Sequence, residues 1–233
     1  MSFSVVQNLP EDGGSAPFTA IYGSAQTAGN LNLVLYASDN VGSPNTPTDT
    51  AGNSYTPVTS VAANGVRMHA WVCPSIHSAL AGANTVTLTY TGAPSFPELW
   101  IFEISGCATS SPVDQSAIAT AASSATADSG NTPTTTNAND FLIGYCFTLG
   151  NSSSAGSTYT IIGSITGFGA LAEQKTVSST GAFNATTNLS GPAAWAQLVI
   201  ALKSLGAGGG SVAFVAGRVP AVGRVRVQGR GGV

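Results

Sequence analysis

The chain has 233 residues, of which seven are Lys or Arg and ten are Asp or Glu, 7% in all, against roughly 25% in ordinary soluble proteins. Hydrophobic residues still make up 43%, which excludes a disordered chain. Ser, Thr, Asn and Gly fill 96 positions, a composition unlike the Ala/Glu/Lys/Leu-rich one of helical bundles, and the net charge of −3 is unlike that of a nucleic-acid-coating protein.

The segment Met1-Ser2-Phe3-Ser4-Val5-Val6-Gln7 has neither the positive region nor the apolar core of a secretion signal, so the chain is expected to start in the cytoplasm. Period-2 alternation, the mark of a half-buried strand, then recurs. It predicts strands over 4–8, 30–37, 54–61 and 66–72. In 84–90, Val86, Leu88 and Tyr90 face one way and Thr85, Thr87 and Thr89 the other. In 98–104, Trp100, Phe102 and Ile104 share a face. Residues 109–139, rich in Ser, Thr and Ala, read as a long surface connection with room for one outer strand. Further strands are predicted over 141–148, 158–162, 171–177, 182–186 and 194–202. Residues 193–202 are the longest apolar run, too short to span a bilayer.

Turn chemistry separates these segments. Ala63-Asn64-Gly65 reads as a tight hairpin, residues 49–53 precede a strand and 91–94 close one. No window shows helical periodicity. The predicted fold is all-β: a single β-sandwich, jelly-roll-like, over 1–204, followed by a Gly-rich linker at 205–211 and an extended basic arm at 212–233.

Catalytic chemistry is sparse. Cys73, Cys107 and Cys146 are widely spaced and read as small, buried, reduced side chains. His69, Trp71 and Cys73 fall on one strand face without the further ligands of a metal site. Glu98 and Glu103, five apart, point to opposite faces of one strand and cannot pair. Residues 39–49, with Asp39 and Asp49, offer the oxygens of a calcium loop but match no EF-hand spacing, and turn-forming Asp and Asn explain them equally well. Neither GxSxG, a P-loop nor GxGxxG occurs. No enzyme activity, cofactor or metal is expected. Tyr55, Trp71 and Trp195 are the candidate glycan contacts, because an exposed ring offers sugars an apolar face; Trp195 lies opposite the apolar face of its strand and is either exposed or packed under a loop.

The arm is the most distinctive segment. Residues 1–203 hold three cations against ten acids, whereas 204–233 hold Arg218, Arg224, Arg226 and Arg230 and no acid. Gly217-Arg218-Val219, Gly223-Arg224-Val225 and Gly229-Arg230-Gly231 recur every six residues. In an extended chain all four arginines then project from one edge, with Val219, Val225 and Val227 on the other. Such a ribbon suits docking on a partner, by strand addition or in a groove, better than phosphate binding, where the valines would serve no purpose. Pro220 rules out an uninterrupted central ladder, so pairing is expected at an edge or broken there. A solvated tail is the plainer alternative.

The layout of Leu31–Tyr36, then Asp49-Thr50-Ala51-Gly52-Asn53-Ser54-Tyr55-Thr56, Asn84-Thr85-Val86-Thr87-Leu88 and Trp195–Lys203 resembles jelly-roll-like β-sandwich modules of tailed-phage virion proteins and bacterial surface proteins. The resemblance covers residues 1–204 and implies a structural or adhesive role. The expectation is a virion protein, a head decoration or a tail- or fibre-associated subunit, assembled in the host cytoplasm. It would contact other virion subunits through the arm and form a homo-oligomer such as a trimer, with a host surface glycan as a further partner and with neither membrane nor nucleic acid. A glycan-binding or adhesive module at a bacterial cell surface is the alternative.

Overall fold

The computed structural model describes residues 2–165 and 169–206, and among these there is no helix. The strands are β1 (Ser4–Asp12), β2 (Phe18–Ile21), β3 (Leu31–Asp39), β4 (Ser43–Pro44), β5 (Thr48–Asp49), β6 (Thr56–Ala63), β7 (Val66–Cys73), β8 (Thr85–Leu88), β9 (Tyr90–Thr91), β10 (Glu98–Ser105), β11 (Val113–Asp128), β12 (Asp140–Thr148), β13 (Ser152–Ala155), β14 (Thr160–Ile165), β15 (Ala170–Val177) and β16 (Thr186–Lys203). The class is all-β, as predicted. The strands form four antiparallel sheets rather than the two of a single sandwich: β1-β10-β3-β7-β6, β11-β16-β12-β15-β14 with β13 on β16, β2-β8-β5, and β4-β9.

The sheets stack in layers. One core lies between the two large sheets. It takes Leu31, Leu33 and Leu35 from β3, Trp100, Phe102 and Ile104 from β10, Phe141, Ile143, Tyr145 and Phe147 from β12, and Leu198, Ile200 and Leu202 from β16. A second core covers the opposite face of the five-stranded sheet, where Val34, Tyr36, Trp71, Leu99 and Ile101 meet Phe18, Ala20, Val86 and Leu88 of the small sheet. The five-stranded sheet is thus the central layer. Its strands β3 and β10 are buried along nearly their whole length, which is why Leu31-Asn32-Leu33-Val34-Leu35-Tyr36-Ala37 reads as almost continuous apolar sequence.

The outer face of the six-stranded sheet is covered by its own chain. β11 and β16 pair from Val113↔Leu202 to Asp128↔Thr186, with register shifts between Ala121 and Thr126. Backbone bonds extend the ribbon: Ser129 N–H to Ala185 O (3.0 Å), Thr132 N–H to Phe183 O (2.8 Å) and Thr135 N–H to Gly181 O (2.9 Å). The bulges bend it, and it folds back until Thr136 reaches Asp114, whose carboxylate accepts its N–H and hydroxyl at 2.7 and 2.6 Å. Between ribbon and sheet, Ala185 packs with Leu142, Val177, Val199 and Ala201 at one end, and Ala127 and Leu189 with Cys146 and Trp195 at the other. The predicted surface connection at 109–139 is therefore half of a doubled-back ribbon. The strand predicted at 182–186 begins only at Thr186.

Local sequence explains the rest. Asn64 and Gly65 have φ of 53° and 81°, the two left-handed residues of a type I′ hairpin between β6 and β7. Strand β2 escapes sequence reading because four residues are too few for alternation to stand out.

Candidate functional site

The body is most elaborated at the end where the chain leaves it. Lys203 N–H bonds Pro112 O (2.7 Å), Ser204 N–H bonds Asn139 O (3.1 Å) and Leu205 N–H bonds Gly106 O (2.7 Å), while Ala108 N–H bonds Lys203 O (2.9 Å). The exit is held on every residue up to Leu205. A cleft of about 540 Å³ opens beside it, lined by Ser2, Asn30, Ser105, Gly106, Cys107 and Leu205 among others. A second, of about 530 Å³, is lined by Asn53, Ser54, Pro74, Ser75, His77 and Ser111 among others. Ser75 and Ser111 hold positive φ of 55° and 45°, a strained conformation for non-glycine residues. In the same wall the His77 ring Nδ1 is 2.9 Å from Ala51 O and its N–H bonds Asn53 Oδ1 at 2.9 Å. The contact with a carbonyl requires a proton on Nδ1, which donates to Ala51 O.

Three polar networks stiffen this end. Glu103, fully buried, accepts from Gln7 Nε2 (2.6 Å), Asn30 Nδ2 (2.6 Å) and Thr27 N–H (2.9 Å). A closed ring runs Asp49–Tyr55–Asn32–Gln26–Asn84. Tyr55 OH donates to Asp49 Oδ2 (2.9 Å) and accepts from Asn32 Nδ2 (3.2 Å); Gln26 Nε2 donates to Asn32 Oδ1 (2.9 Å); Asn84 Nδ2 donates to Gln26 Oε1 (2.7 Å) and to Asp49 Oδ2 (3.0 Å). The third joins Asp114 and Asp140 through Asn137, which donates its N–H to Asp114 at 2.8 Å and its Nδ2 to Asp140 at 3.1 Å. Burial and the neighbouring Asp114 push the Asp140 carboxyl up to about 6.

Other residues singled out by sequence are accounted for as follows. Arg218, Val219, Arg224, Val225, Arg226, Val227 and Arg230 lie outside the described residues, as do the arm and most of the linker. Tyr55, Trp71 and Trp195 are only 7%, 3% and 5% exposed, so none offers a ring face to a sugar. Trp195 does point away from the apolar face of its strand, but the returning ribbon covers it there. Cys73, Cys107 and Cys146 are buried free thiols. His69 stacks on Trp71 (centroids 5.4 Å apart), and burial together with Arg67 lowers its pKa to about 4. Asp39 accepts from Ser95 N–H and Asp49 belongs to the ring, so the two carboxylates of 39–49 serve separate structures. Among the described residues no group of three or more His, Cys, Asp or Glu is placed to hold a metal ion.

Glu98 and Glu103 do face opposite sides of β10: Glu98 accepts from Tyr145 OH in the main core (3.0 Å), Glu103 from the loops on the other side. What sequence reading missed is how much of the acid is interior. Of the ten acids, Glu98, Glu103, Asp140 and Glu173 are fully buried, Asp12 and Asp128 are exposed, and the other four are partly buried. Set against protein-family models, curated proteins and solved structures, the chain matches none.

Proposed function

We propose that the chain is a structural protein of a phage virion, a head decoration or a tail- or fibre-associated subunit. Its β body, a sandwich module of the jelly-roll-like kind, is displayed on the particle, and its Arg/Val arm docks on neighbouring subunits. The observation that carries the reading is the anchored exit: backbone bonds fix the chain up to Leu205, so the arm starts from a defined point beside two clefts. The buried acids add to it. Four of the ten acids are buried beyond the reach of the arginines, and acidic groups of a neighbouring protein are a fitting partner for them. Symmetric self-assembly, as in a trimer, is part of the reading. Exposed Val41 and Phe96, at 44% and 47%, lie in loops at the opposite end of the five-stranded sheet and are suited to face outward.

The test is incorporation. Full-length protein and a chain ending at Leu205 are supplied to particles assembling without the endogenous subunit. The truncated chain should melt like the full-length body yet be missing from purified virions. Normal incorporation overturns the reading.

The second reading, a glycan-binding module at a bacterial cell surface, is favoured by the cleft at Asn53, Ser75 and His77, whose polar groups and proline rims suit a neutral saccharide. Binding of the full chain to a glycan array, abolished by His77→Ala, would support it.

A further inference from the structure

The seam between the six-stranded sheet and the ribbon that covers it holds polar atoms that the protein does not pair. Glu173, Thr187 and Gln197 are fully buried, and Trp195 nearly so. Glu173 Oε1, Thr187 Oγ1, Gln197 Oε1 and Nε2, and Trp195 Nε1 have no hydrogen-bond partner. Native interiors rarely leave such groups unsatisfied.

These residues gather round Cys146, whose thiol feels the charge of Glu173. Gln197 sits opposite Cys146 on β12 and Ala119 on β11. Trp195 is two residues from Gln197 and shares its face. Thr187, on the ribbon, has the Cys146 thiol as its hydrogen-bonding neighbour, a weak partner that leaves the hydroxyl without a full bond. Glu173 pairs with Gly144, two residues from Cys146, and a β-carbon at Gly144 would stand 2.8 Å from Glu173 Oε1 and 2.7 Å from Ala185 Cβ. Glu173 Oε2 is already held by Gly156 N–H at 2.9 Å. Ala119, Ala127, Ala185 and Leu189 make up much of the remaining surround, and none has a polar side chain to offer.

The donor set identifies the occupant. Trp195 Nε1 and Gln197 Nε2 donate, Gln197 Oε1 and Glu173 Oε1 accept, and Thr187 does both. Two N–H donors oppose a cation, and a carboxylate opposes an anion. Neutral molecules that both donate and accept suit this mixed set, and water, with two donor and two acceptor sites, is the simplest. We propose that this seam is a buried hydration site in which ordered water bridges Glu173, Thr187 and Gln197. Thr187 belongs to the ribbon, Glu173 and Gln197 to the sheet, so the water is a polar link between the two layers.

A high-resolution crystal structure of the full chain should show ordered water within hydrogen-bond distance of Glu173 Oε1 and of Thr187 or Gln197. Direct bonds among these side chains, or a dry seam, would overturn the proposal. Thr187→Val, nearly isosteric, gives an independent sign. If Thr187 bridges to water, the variant melts lower, by roughly 2–4 °C, also in a Cys146→Ala background where no thiol can bond the hydroxyl, and Thr187→Ser restores the parent value. If the hydroxyl is unpaired, removing it leaves the melting temperature unchanged or raises it, and the hydration site is refuted.

Discussion

The Asp114 carboxylate receives both the backbone N–H and the hydroxyl of Thr136, 22 residues further along, at 2.7 and 2.6 Å. This pair fixes the far end of the ribbon to its own beginning. Burial raises the Asp114 pKa, but hydrogen bonds from Thr136 and Asn137 outweigh that and hold the carboxyl below its usual range. Its contribution is present above the unfolded carboxylate range and is lost as pH falls through the lowered value.

Asp114→Ala should therefore loosen the ribbon before the body. Hydrogen exchange should show faster amides at Thr132, Thr135 and Thr136, with those of β3 and β12 unchanged. The cost in global stability should be about 1 kcal/mol, modest because the group is partly exposed. Equal acceleration throughout the chain would show that the ribbon is no separate unit.

The interior carboxyls give an unusual pH profile. Burial, only partly offset by Tyr145 OH and reinforced by Asp12, pushes Glu98 up to about 8. Burial, opposed by backbone N–H groups of Gly156 and Thr186, leaves Glu173 at about 7; Tyr159 and Cys146 feel its charge. Asp140, facing Asp114 and Lys203, stands at about 6. All three are raised, so the native state binds more protons than the unfolded one between pH 4.5 and 8. Their stabilisation is complete below the unfolded carboxylate range and is lost as pH rises through these values, by up to about 1.4 kcal/mol per pH unit for each group. Thermal melts should give a higher midpoint at pH 5 than at pH 8.5, and Glu98→Gln should flatten the upper part of the curve.

The Asp49–Tyr55–Asn32–Gln26–Asn84 ring is satisfied as a unit. Tyr55→Phe removes one donor and one acceptor and should cost about 1–3 kcal/mol. Asn84→Ala breaks two ring bonds and frees the 50–51 turn, whose Thr50 hydroxyl and Ala51 N–H bond Asn84 Oδ1, and should cost more. The double variant should fall short of the sum, because each change already opens the ring. Additive losses in chemical denaturation would count against a cooperative network.

Gly42 and Gly52 both have positive φ, 71° and 76°, but differ in surroundings. A β-carbon at Gly42 would overlap the Thr91 carbonyl, whereas at Gly52 it would meet nothing within 4 Å. Gly52→Ala should cost about 1 kcal/mol, the left-handed backbone term alone. Gly42→Ala should cost several times that, since strand β9 must move.

The strands were legible where alternation is long and one face is polar. Val86 and Leu88 point inward as their spacing requires, and Trp100, Phe102 and Ile104 share one core. The candidate site was legible only in part. The hairpin at Asn64-Gly65 and the three buried thiols follow from residue type. The two clefts do not, because each is lined by segments distant in sequence: Asn53, Ser75 and Ser111 in one, Ser2, Asn30, Gly106 and Leu205 in the other.

By itself the sequence determined that this is a β protein, because period-2 patterning and turn residues are local properties. It also determined that its positive charge is concentrated in Arg218, Arg224, Arg226 and Arg230. Only the tertiary structure decided what covers what. Trp195, Gln197 and Glu173 lie on the face of their strands away from the main core, and alternation cannot say whether such a face meets water or another layer. The ribbon's return answers that: it closes Trp195 to ligands and encloses Gln197 and Glu173.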